Sequence, residues 1–115
     1  MSVKIYHNPR CSKSRQALQL LRDRGFEVEI VDYLKTPPDG ATLRHLLHML
    51  ALAPRDLMRK QEKEYKELGL DDPDLDADVL IDALVEHPRL MERPIVVKGG
   101  AAVIGRPPED VLKLF

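Results

Sequence analysis

The segment YHNPRCSKSR, residues 6–15, carries the one cysteine of this 115-residue sequence, Cys11. Arg10 and Arg15 flank the thiol, and His7 lies just ahead of it. Arg15 is a predicted supporting residue of the site, because a position four residues after Cys11 lies on the same side of a helix. The thiolate is the reactive form of cysteine, and nearby positive charge favours it. A buried structural cysteine is the competing interpretation, because cysteine is among the most often buried residues. The polar neighbours of Cys11 favour a reactive thiol.

The elements around the thiol give a second reason for it to ionise. VKIY (3–6) and EVEIVDY (27–33) have the composition of strands. The residues between them that recur at helical spacing are Ser14, Ala17, Leu18 and Leu21. Strand, helix and strand in about thirty residues predict a βαβ unit with parallel strands. Cys11 then falls in the first helical turn, where free N–H groups and the helix dipole lower a thiol pKa.

The rest of the chain predicts a helical stretch and a return to strands. The middle of the chain holds a leucine face at 43–50, a short helix from Pro54 that carries RDLMRK, and a helix at 80–84 that ends at Pro88. PIVV (94–97) and KGGAAVIG predict a hairpin, and RPPEDVLKLF predicts a closing helix.

This order predicts an α/β fold, a thioredoxin-like βαβ–ββα sheet with a helical insertion at about 40–87. The whole chain, 1–115, is predicted to be one domain, because its length suits a single core. A flavodoxin-like sheet is the alternative, but it needs more βα units than this chain supplies.

Arginines outside the first helix are candidates for binding an anion near the thiol. Arg93 and Arg106 each precede a proline, and Arg59 lies in RDLMRK. In thioredoxin-like folds the loop before the third strand faces the thiol helix and often holds a cis proline. The Arg93–Pro94 bond is the candidate, and if it is cis, Arg93 is predicted to point at Cys11. Three planar guanidinium groups would suit a tetrahedral oxyanion. The competing interpretation is surface arginines in weak ion pairs.

Ser14 stands where a redox C-x-x-C motif carries its second cysteine. Any disulfide formed at Cys11 must therefore be resolved by an outside thiol, such as glutathione or another protein. The sequence leaves two roles open for the Ser14 side chain. It either donates a hydrogen bond to the thiolate or faces inward as a small residue.

Composition excludes several classes of function. The formal net charge of −1 argues against a general nucleic-acid-binding face. No signal peptide or membrane span is expected, and a lone cysteine favours a reducing, cytoplasmic location. His45, His48 and His87 have no companions at metal-ligand spacing, so no metal site is predicted.

Several segments together resemble the glutaredoxin-linked arsenate reductase (ArsC-like) family. They are IYHNPRCSKSR, YLKTPP, RDLMRK, YKELGL, LIDALVEHPRLMERPIVV and IGRPPEDVL, and they run from about Lys4 to Leu114. The resemblance implies a thioredoxin-like fold with no bound cofactor. It also implies that Cys11 attacks arsenate, that glutathione attacks the adduct, and that glutaredoxin completes the reduction to arsenite.

The resemblance also assigns roles to residues. Cys11 matches the nucleophile, and His7 matches a histidine that helps to ionise it. The matching oxyanion-binding residues are Arg59, Arg93 and Arg106, and the supporting ones are Asn8 and Ser14. Two other functions stay open: a redox-sensitive regulator that binds RNA polymerase, and a monothiol that exchanges with glutathione without reducing an oxyanion. The polymerase-binding relatives typically carry a C-x-x-C switch, which Ser14 removes.

Overall fold

The computed structural model describes residues 2–115, which divide into two compact units. The first unit comprises the chain up to Thr36 together with Arg93–Phe115, and the second is Pro37–Glu92. The first unit contains β1 (Ser2–His7), α1 (Ser12–Asp23), β2 (Glu27–Asp32), β3 (Ile95–Lys98), β4 (Ala101–Ile104) and a 3₁₀ helix (Pro108–Leu114). The second contains α2 (Gly40–Leu50), a 3₁₀ turn (Pro54–Leu57), α3 (Lys63–Glu67), α4 (Ala77–Glu86) and a 3₁₀ turn (Pro88–Leu90).

The strands of the first unit form one sheet in the order β2-β1-β3-β4. β1 and β2 are parallel and are joined by α1, so the predicted βαβ unit is confirmed. β3 runs antiparallel to β1, and β4 returns beside β3 as the predicted hairpin. The sheet with its following 3₁₀ helix is the predicted thioredoxin-like α/β plan.

The core of this unit forms where the sheet meets α1. Alternate residues of a strand face the same side, and residues of a helix share a face at spacings of three and four. The buried cluster that results comprises Val3, Ile5, Ala17, Leu18, Leu21, Val96 and Val111. Gly25, with φ of +80°, ends α1 by donating its N–H to the Arg22 carbonyl. A glycine suits this left-handed C-terminal position, because it has no Cβ to clash with the backbone.

The second unit is built from helices. Asp39 and Asp76 cap α2 and α4 by accepting the N–H groups of Thr42 and Val79. Side-chain caps of this kind satisfy N–H groups that a helix leaves free. The largest side chains fully buried in this unit are Leu43, Leu46, Leu57, Leu90 and Met91.

The structure differs from the predicted secondary structure in three details. The helix predicted to carry RDLMRK ends at Leu57, because Met58 pairs with Met91 and the Arg59 N–H binds the Leu90 carbonyl. The charged run before Leu68 holds the unpredicted short helix α3, which buries Tyr65. The closing helix has 3₁₀ geometry.

Among residues 2–115, no helix is both long and apolar enough to cross a bilayer.

Candidate active site

The loop between β1 and α1 is organised by Asn8, which is buried. Its carbonyl accepts the Cys11 N–H at 3.0 Å, and its side-chain Oδ1 accepts the Arg10 N–H at 3.0 Å. An asparagine side chain that bonds the backbone two residues on closes a tight turn. Cys11 then becomes the N-cap of α1 with an extended backbone, and its free thiol is partly exposed.

Beneath this loop, His7 and Ser14 form a buried pair. The His7 Nδ1 lies 2.6 Å from the Ser14 Oγ, which also accepts the Asn8 N–H at 3.1 Å. Of the two roles left open for the Ser14 side chain, the structure shows the inward-facing one. The Ser14 contact that acts on the thiol comes from its backbone N–H.

Burial lowers the pKa of His7, against the opposing effect of the Asp32 carboxylate, and Arg22 and Arg15 lower it further. This shift favours the neutral form of the imidazole. Its hydrogen bond to Ser14 fixes the first turn of α1 below the thiol. A role for His7 in ionising Cys11 stays a prediction.

Two arginines from outside the loop, Arg93 and Arg106, act on the Cys11 sulfur. The Arg106 Nη2 lies 3.9 Å from the Cys11 Sγ, and its Nε donates to the Arg93 carbonyl at 2.8 Å. The Arg93 guanidinium also acts on the sulfur, because its hydrogen-bonding group and its charge both lower the pKa of Cys11. The Arg93–Pro94 bond is cis, as predicted, and the Arg106–Pro107 bond is cis as well, which the sequence did not indicate. Arg93 and Arg106 thus meet the thiol, as expected.

The electrostatics of this cluster favour a thiolate. Burial by itself raises the pKa of Cys11, but the Ser14 N–H, the Arg93 guanidinium and the Lys13 N–H lower it by more, so the net pKa is below the ordinary value. Hydrogen bonds and positive charge stabilise the ionised form. The direction agrees with the prediction for a cysteine at a helix N-terminus.

Two predicted site residues make other contacts. The exposed Arg15 donates from its Nη1 to the Pro9 carbonyl at 2.8 Å, so it braces the loop. Arg59 belongs to the second unit, where its Nη1 binds a Glu62 carboxylate oxygen at 2.7 Å. The binding of an oxyanion by Arg59 stays a prediction.

Gly105 was missed by the sequence analysis. Its N–H binds the Pro94 carbonyl at 2.8 Å, and a Cβ at this position would lie 2.9 Å from both the Pro94 Cγ and the Val111 Cγ1. The absence of a side chain therefore lets the Arg93 and Arg106 loops pack together. A glycine directly before Arg-Pro was the available signal.

The sheet and its activated thiol define a thioredoxin-like protein with a single-cysteine site. The family model for the ArsC family matches residues 6–114, and the chain belongs to that family. It is 59% identical over 113 residues to the uncharacterized protein YfgD of Escherichia coli strain K12, covering 97% of this chain and 95% of that one. It is 54% identical over 110 residues to an arsenate reductase of Neisseria meningitidis (strain Z2491), covering 95% of this chain and 94% of the relative. A solved arsenate reductase structure from Vibrio cholerae matches with a TM-score of 0.98 at 50% identity, covering 100% and 98% of the two chains.

Proposed function

We propose that this protein reduces arsenate to arsenite through a nucleophilic Cys11 thiolate, with glutathione and glutaredoxin as electron donors. The observation that carries the proposal is the position of the Arg93 and Arg106 guanidinium groups against the Cys11 sulfur. Related chains named arsenate reductases, from Neisseria meningitidis and Vibrio cholerae, support it.

The first chemical step follows from that arrangement. The Cys11 sulfur forms a bond to arsenic, and one arsenate oxygen leaves as water after it takes up protons. Charge on the remaining oxygens is stabilised by guanidinium groups, whose planar donors suit tetrahedral oxyanions. Electrostatic stabilisation of this kind is usually the largest catalytic contribution.

The later steps require outside thiols. Arsenic gains two electrons on going from arsenate to arsenite, and two thiols supply them by forming one disulfide, with water as the other product. These 115 residues hold one cysteine, so both of those thiols come from other molecules. Glutathione would bond to the arsenic of the adduct and displace a second oxygen as water. Glutaredoxin would then take the glutathione sulfur as a mixed disulfide, which leaves the two electrons on arsenic. Water would finally cleave the bond between Cys11 and arsenic, which releases arsenite and restores the thiol.

The supporting residues act through the loop. Asn8 and Ser14 hold the turn and the first helical N–H groups against the sulfur. His7 would act through its bond to Ser14. Arg59 is proposed as a further oxyanion ligand on the family resemblance.

A coupled assay tests the proposal. Purified protein is incubated with arsenate, glutathione, glutaredoxin and glutathione reductase, and NADPH consumption and arsenite are both measured. The matched control is Cys11→Ser, which keeps a small polar side chain at the N-cap. Arsenite formation that needs Cys11 is the expected result, and a rate equal to that of Cys11→Ser would refute the proposal.

A monothiol that only exchanges with glutathione is the second candidate. The partly exposed, activated thiol of Cys11 supports it equally well. Mass spectrometry after incubation with glutathione disulfide separates the two candidates. Exchange alone transfers one glutathione to the Cys11 sulfur and releases the other as free glutathione, both with and without arsenate, and no arsenite forms.

A further inference from the structure

Two exposed cations lie within two residues of the active thiol in the chain. Arg10 immediately precedes Cys11, and Lys13 lies in the first turn of α1; both side chains are exposed. Within the described chain, no ion pair joins either of them to a carboxylate. The whole chain has a formal net charge of −1, so this positive pair is a local feature.

These cations differ from the two arginines that contact the sulfur. Arg93 and Arg106 are partly buried and are occupied with the sulfur and with backbone. Lys13 contributes only its backbone N–H to the thiol, and Arg10 uses its N–H to bind Asn8. The charged ends of Arg10 and Lys13 are therefore available to a second anionic group outside the oxyanion pocket.

Regeneration of Cys11 requires a second ligand, an outside thiol. No other cysteine in these 115 residues can regenerate the thiol, so an outside thiol must approach the sulfur once it has reacted. Arg10 and Lys13 are the exposed cations nearest to Cys11 along the chain, so an outside thiol that reaches the sulfur meets their positive charge. Charged groups at the rim of a site raise the association rate of an oppositely charged ligand.

We infer that Arg10 and Lys13 form a subsite for the carboxylate of a small anionic thiol, and that they select this class of co-substrate over neutral and cationic thiols. The inference rests on the proposed function for its biological setting. Its chemistry requires only that an outside thiol attacks at the Cys11 sulfur.

A thiol-exchange measurement tests the inference without any oxyanion. Cys11 is first converted to its mixed disulfide with 2-thiopyridine. The attacking thiolate then forms a disulfide with the Cys11 sulfur, and the sulfur–sulfur bond to thiopyridine breaks, releasing coloured thiopyridone. Rates are compared for three thiols of similar size: anionic 3-mercaptopropionate, neutral 2-mercaptoethanol and cationic cysteamine, each expressed per thiolate.

Wild-type protein should prefer the anionic thiol, and the preference should weaken as salt rises. The anionic-to-neutral rate ratio should fall about threefold in Arg10→Gln and about threefold in Lys13→Gln, with a larger fall in the double variant. Taking a ratio within each variant cancels changes in the reactivity of Cys11. Arg24→Gln is the matched control, because Arg24 is also exposed but lies at the far end of α1.

An unchanged ratio in the double variant would overturn the inference, as would an equal fall in Arg24→Gln. A salt-dependent loss of reduction rate in the double variant that is seen only with glutaredoxin as the reductant would also overturn the inference. That result would assign Arg10 and Lys13 to the binding of an acidic protein surface. Failure of arsenate reduction leaves this assay intact, so the two proposals fail separately.

Discussion

The guanidinium groups of Arg93 and Arg59 are held in different ways. Arg93 lowers the pKa of Cys11, and its Nε is buried without a hydrogen-bond partner among residues 2–115. Arg59 donates to one Glu62 oxygen at 2.7 Å, and Arg89 approaches the other oxygen at 3.8 Å. The chain thus supplies a carboxylate for one arginine and a thiol for the other.

These two environments give the positive charges of Arg93 and Arg59 different roles. A guanidinium paired with a carboxylate is neutralised by the fold and contributes modestly to stability. A guanidinium set against a thiol shifts the ionisation of that thiol and stays able to bind a further anion. Substitutions in the two regions should therefore affect different measurements.

The largest expected effect comes from removing the sulfur. Cys11→Ser should lower arsenate reduction at least ~1000-fold, because the nucleophile of a covalent mechanism is lost. The free energy of unfolding should change by less than about 1 kcal/mol, because the side chain is partly exposed. Activity assays and urea unfolding check both parts, and substantial residual turnover would contradict the covalent mechanism.

Replacing the arginine on the sulfur should be next in size. Arg93→Lys should lower arsenate reduction about 100-fold, because a donor aimed at the reacting group is lost. Arg93 lowers the pKa of Cys11 through a hydrogen-bonding group as well as through its charge. Lysine keeps the charge but loses the planar guanidinium, so Arg93→Lys should raise that pKa and move the pH profile of iodoacetamide alkylation to higher pH. The exposed Arg24→Lys serves as the control. An alkylation profile that does not move in Arg93→Lys would contradict the role of Arg93 in ionising Cys11.

The packing behind the two arginine loops should give a smaller effect, seen in stability. Gly105→Ala places a Cβ 2.9 Å from Pro94 and Val111 side-chain atoms and should cost about 1–3 kcal/mol of unfolding free energy. Gly100→Ala is the control, because a Cβ there has no neighbour within 4 Å, and it should change stability by less than about 0.5 kcal/mol. Equal results for the two variants in urea unfolding would show that the loops tolerate the added methyl group.

The smallest effect is expected in the second unit. Glu62→Gln should lower the free energy of unfolding by about 0.5–1 kcal/mol, because the pair with Arg59 is only about one-fifth exposed. Arg89→Gln should have less effect, because its contact is longer and its side chain is 63% exposed. Glu62→Gln that stabilises the protein would mean that desolvation of the pair outweighs its attraction.

Local pattern sufficed to predict much of the first unit. Alternation and helical spacing placed β1, α1 and β2, and the loop composition put Cys11 at the start of α1. These features depend on residues close in the chain. The short helix α3 escaped because five residues carry little periodic signal, and its buried Tyr65 depends on the surrounding unit.

Residue types and neighbours along the chain were enough to establish a lone thiol at a helix N-terminus with arginines available to it. The contact between Cys11 and Arg106, 95 positions apart, exists only because the sheet brings β1 and β4 into one unit. The inward turn of Ser14, the need for glycine at 105 and the Glu62 partner of Arg59 arise in the same way. Each is decided by which side chains and backbone groups share a small volume after folding, and a sequence pattern does not encode that distance.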